Sequence, residues 1–97
     1  MDFQRIRPDI RASLDQYAAN GIPLGDFLEA VVSNDLLGAL GRADDYNRQT
    51  IFDIAGYVYN ELPSACHGSR ERYRAWLAAK QLARAAAQTA AEAAGGV

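Results

Sequence analysis

The sequence predicts an all-α protein: a compact bundle of three to five helices that ends in a long alanine-rich helix and associates with copies of itself. Apolar residues recur at three- and four-residue intervals through most of the chain, no useful length alternates apolar with polar, and alanine dominates from Ala78 onward. With 97 residues the chain holds one domain, read as a helical core domain over 1–77 and an alanine-rich helical extension over 78–97. A chain this short buries only roughly 60% of its unfolded surface. One cysteine rules out an internal disulfide, so self-association is the remaining route to further burial.

The first helix is signalled by Pro8, suited to an initial helical turn, by Ile10, Leu14, Tyr17 and Ala18 on one face, and by Asn20-Gly21 as its stop. Two glycines and a proline make Gly21 to Gly25 a turn. From Asp26, the residues Phe27, Leu28, Val31, Val32, Leu36, Leu37 and Leu40 describe a largely buried second helix. Ser33-Asn34-Asp35 interrupts it with the chemistry of a second N-cap, so a kink or two short helices are expected. Asp44 and Asp45 cap a third helix whose stripe Ile51, Ile54, Ala55, Val58, Leu62 runs to Pro63, with Tyr57 and Tyr59 at its edges. After the loop Pro63 to Ser69, Ser69 caps a fourth helix that turns Tyr73, Trp76 and Leu77 inward. That helix continues through an alanine-rich stretch that buries little, ending at Gly95-Gly96-Val97.

Composition narrows the function. The N-terminus is charged within five residues, and no apolar run reaches signal-peptide or membrane-span length, so a cytoplasmic protein without a membrane partner is expected. The single cysteine agrees with a reducing compartment. A net charge of −2 argues against an extended nucleic-acid surface. The cations are nine Arg and one Lys, which suits forked recognition of phosphate and equally follows from a GC-rich genome.

Nothing in the chain reads as an enzyme, a metal site or a cofactor site. Cys66 and His67, the sole Cys and His, are sequence neighbours and cannot supply three or four zinc ligands or an oriented nucleophile pair. General acid–base chemistry has only Asp35, Asp44, Asp53 and His67 to draw on. Two places offer a binding site. Gly68-Ser69-Arg70 opens a helix, where N–H groups, the Ser69 hydroxyl and Arg70 with Arg72 can hold an anion. Asn34, Asp35, Arg42 and Asn47, with Asp44, form the densest polar set beside the apolar second helix, either as caps or as a cleft lining. Arg5, Arg7 and Arg11 form one basic cluster and Arg70, Arg72 and Arg74 another, solvated faces unless they meet across a subunit boundary.

The segments GIPLGDFLEAVVSNDL, GRADDYN and YVYNELPSACHGS, with Trp76, resemble a family of small proteins of tailed bacteriophages and prophages. Its pattern is Gly-x-Pro-x-Gly, Phe-Leu, Asn-Asp-Leu, Arg-Ala-Asp and Pro-x-x-Cys-x-Gly-Ser before a Trp. The likeness spans Gly21 to about Leu77; His67 and the alanine-rich tail depart from it. It implies a protein of the infected host's cytoplasm that acts by binding rather than catalysis. One expectation is a homo-oligomeric counter-defence sponge, sequestering an anionic nucleotide-type signal of host antiviral immunity. The other is an adaptor or inhibitor that occupies a host or phage protein through its helices.

Overall fold

A computed structural model describes residues 2–95, with side chains through Ala91, so Gly96 and Val97 of the expected C-terminal end lie outside the described residues. Every regular element in it is helical: α1 (Pro8–Asn20), α2 (Asp26–Val32), α3 (Leu36–Arg42), α4 (Asp45–Gln49), α5 (Ile51–Glu61) and α6 (Arg70–Gly95), with 3-10 turns at Phe3–Arg5 and Ser64–Cys66.

Helix ends fall where local chemistry places them. Pro8 begins α1, and Gly21 closes it in the left-handed region at φ 66°, its N–H donating to Tyr17 O at 2.9 Å. A side chain at Gly21 is excluded twice, by that φ and by Lys80 Cβ, 2.3 Å from where a Cβ would stand. The expected interruption at Ser33-Asn34-Asp35 is a full break. Asn34 turns left-handed at φ 62°, and Asp35 caps α3 by accepting from Gly38 N–H at 3.0 Å.

The expected third helix is divided, which raises the count of α-helices to six. Asp44 caps α4 by accepting from Asn47 N–H at 2.7 Å. At Thr50 the chain bends to φ −107° and ψ 10°, and the buried Thr50 hydroxyl donates to Tyr46 O at 3.0 Å. Hydroxyl bonding to the carbonyl four residues back bends a helix, a signal that apolar periodicity does not carry.

The core lies where α1, α2, α5 and the first turns of α6 converge on Leu14, Tyr17, Val32 and Ile54, all fully buried. Each such apolar side chain contributes about 1.5–3 kcal/mol. Several polar groups inside are paired across elements: Tyr17 OH donates to Cys66 O, Trp76 Nε1 to Tyr17 O at 3.1 Å, and Leu24 N–H to Tyr73 OH at 3.1 Å. These bonds tie α1, the loop 63–69 and α6 into one unit. Burial pushes the Tyr17 hydroxyl and the Cys66 thiol above their ordinary values; burial, then its hydrogen bond to Asp15, does the same for Tyr57.

Along α6 the surroundings change. Tyr73, Trp76 and Leu77 pack on the core, and Lys80 lies over the Trp76 ring at 4.9 Å. From Gln81 to Ala91 every residue is exposed, and the molecule extends to 54 Å along its longest axis against 26 and 21 Å across. The helix passes the expected boundary at residues 77 and 78 without a break. No helix among the described residues is long and apolar enough to cross a membrane.

Candidate binding groove

A groove of about 540 Å3 runs between the end of α2, one face of α5 and the loop that leads into α6. Its floor is apolar, made by Val31, Val32, Ala55 and Val58, and its polar wall is Asn34, Ser64, His67 and Arg72, with Tyr59 at the side. A smaller hollow of about 100 Å3 continues it beneath α3, sharing Val31, Asn34 and Ala55.

Loop 63–69 is what builds the wall. Pro63 ends α5, Gly68 takes φ 117°, and the Gly68 N–H donates to Val32 O at 2.7 Å, pinning the loop against the open end of α2. The Ser69 hydroxyl accepts from Arg72 N–H at 3.1 Å and so starts α6. Helical side chains lean toward the N-terminus of their helix, which carries the Arg72 guanidinium back over the loop. There its Nη1 donates to Ser64 O and His67 O, each at 3.3 Å. The Nε and Nη2 edge of that fork makes no hydrogen bond among the described residues. His67 Nε2 is buried without a partner. A buried ring nitrogen lacking a bond is a cost to the fold.

The residues expected to form the site are dispersed. Asn34 lines both hollows, and Asp35 lines only the smaller one while capping α3. Arg42 folds onto its own helix, its Nη1 donating to Gly38 O at 3.2 Å, and is outside the groove lining. Asn47 is buried in α4 and also outside it, with Oδ1 unpaired. Ser69 is engaged as the α6 cap, and Arg70 points to Glu29, its Nε 3.9 Å from Oε1. The cation that reaches the groove is Arg72. Its position three residues after the Ser69 cap is the sequence signal for this, since the side chain of that turn leans back over the cap.

The candidate acids and bases do not converge. Asp44 is taken by the α4 cap and Arg7, and buried Asp53 by Asp2 N–H at 2.9 Å and Arg5 at 3.5 Å. Of the four, only His67 lines the groove. Two N-terminal arginines are likewise paired with carboxylates within the chain, Arg5 with Asp53 and Arg7 with Asp9 and Asp44, while Arg11 lies over the Tyr57 ring at 5.3 Å. Hydrogen bonding to Arg7 holds the Asp9 carboxyl below its ordinary value and raises Arg7 in return. The described residues contain no group of three His, Cys, Asp or Glu spaced to hold a metal ion.

Comparison with models of known families, with curated proteins and with solved structures finds no match.

Proposed function

We propose that this chain is a non-enzymatic binding protein of a tailed phage or prophage that sequesters a nucleotide-type signal of host antiviral immunity in the host cytoplasm. One observation carries the reading: an apolar floor is walled by an aromatic ring, a forked cation with a spare edge and the His67 side chain. A nucleotide offers the complementary parts. Its base is a flat surface for Tyr59 and the valines, and its phosphate suits the free edge of Arg72. No Asp or Glu lines this groove, so no carboxylate there repels a phosphate.

Calorimetric titration with a panel of linear and cyclic mono- and dinucleotides tests this. At least one should bind in the micromolar range or tighter, and both Arg72→Ala and Tyr59→Ala should weaken it tenfold or more while helicity stays constant. A panel with no binder, or a binder indifferent to both changes, overturns it.

A second reading, an adaptor that occupies a host or phage protein, is favoured by the large apolar side chains exposed on α3 and α5, which exceed what a small-ligand groove needs. Capture of one host protein that Phe52→Glu abolishes, together with no nucleotide binding, would select it.

A further inference from the structure

Beside the groove, Leu36, Leu37, Phe52 and Tyr59 are 63%, 81%, 69% and 78% exposed, and none carries a charge. Leu36 and Ala55 line the same small hollow, while Phe52 and Tyr59 stand about one turn to either side of Ala55 on α5, so Leu36, Phe52 and Tyr59 make one patch, with Leu37 following Leu36 on α3. We infer that this face of α3 and α5 binds a second copy of the chain, with the two α5 helices antiparallel across a two-fold axis near Ala55.

The occupant follows from size, symmetry and charge. The exposed area of Leu36, Phe52 and Tyr59 is on the order of 450 Å2, in the upper range of what a lone soluble domain presents, before Leu37 is counted. With its rim, the patch approaches the ~800 Å2 each partner supplies to a stable complex. A two-fold contact must be complementary to itself, residue i meeting j while j meets i. Along α5 the order large, small, large in Phe52, Ala55, Tyr59 has that property. When the helix is laid antiparallel on its own copy, Phe52 meets Tyr59 and the alanines lie at the axis, where small side chains permit close approach. No like charges face each other at the centre, because the one carboxylate at the hollow, Asp35, is turned onto the Gly38 N–H. Ala55 and Tyr59 also line the groove, so the second copy supplies the wall that its open side lacks. The inference stands whatever the groove binds.

Sedimentation velocity of the full chain from about 1 to about 100 μM should give a dimer. Phe52→Glu should return it to monomer with helicity unchanged, whereas Leu82→Glu, on the exposed part of α6, should not. Ala55→Cys should form a disulfide-linked dimer under mild oxidation, which reads the geometry even where Phe52→Glu perturbs folding. A monomer throughout the range, a dimer indifferent to Phe52→Glu, or one lost only with Leu82→Glu overturns the inference.

Discussion

On one side of α5, Ile54 is fully buried, with Tyr57 and Val58 nearly so; on the other, Phe52 and Tyr59 stand mostly in solvent. The residues are chemically alike and interleaved along eleven positions. What separates them is the presence of a neighbour. The inner face meets α1, α2 and the N-terminal turn, where Phe3 packs edge-on against Tyr57 at 5.3 Å. The outer face meets α3 only at its margin. The inner face also has its polar atoms paired, Tyr57 OH donating to Asp15 and Asp53 accepting from Asp2, whereas the outer side borders the unpaired His67 Nε2. One face is finished by folding, and the other is left open to solvent.

Replacements on the two faces should therefore separate stability from association. The largest expected effect is Ile54→Ala on the inner face, a cost of about 3 kcal/mol in urea unfolding, because a fully enclosed site collapses poorly around the void. An effect near zero would mean that the inner face is loosely packed.

Tyr17→Phe should cost less, about 2 kcal/mol, by leaving the buried Cys66 carbonyl without its donor. The same cluster sets an alkaline limit. The folded chain holds the Cys66, Tyr17 and Tyr57 protons at pH values where the unfolded chain releases them. Their contribution is thus fully present below the ordinary thiol and phenol values and is lost as pH rises through and past them. The urea midpoint should fall from about pH 8.5 upward, and Tyr17→Phe should flatten the decline above about pH 10. A midpoint constant to pH 11 would contradict burial of these groups.

The smallest effect belongs to the outer face: Phe52→Ser should change the stability of the dilute monomer by no more than about 0.5 kcal/mol. A loss comparable to that of Ile54→Ala would erase the distinction between the faces.

Much of the fold was legible because helix ends are local. Pro8, Gly21, Asn34, Asp35, Pro63 and Ser69 act on backbone within a few residues, so spacing alone placed the boundaries of α1, the break between α2 and α3, and the start of α6. The division at Thr50 was missed because a hydroxyl that bends the chain is indistinguishable in sequence from one that does not. The site was less legible. Asn34 and Asp35 border the hollows, while Arg42, Asn47, Ser69 and Arg70 are engaged in capping, pairing or burial.

The sequence by itself determined an all-helical chain, its main breaks and an alanine-rich end that buries little, since periodicity and caps are properties of neighbouring residues. Tertiary structure alone decided that Arg72 rather than Arg70 reaches the groove, that Asp53 answers Arg5 and Asp2, and that Phe52 and Tyr59 face outward while Ile54 and Tyr57 face in. Those outcomes depend on which segments, distant along the chain, pack against each helix, and side chains of the same type carry no record of that choice.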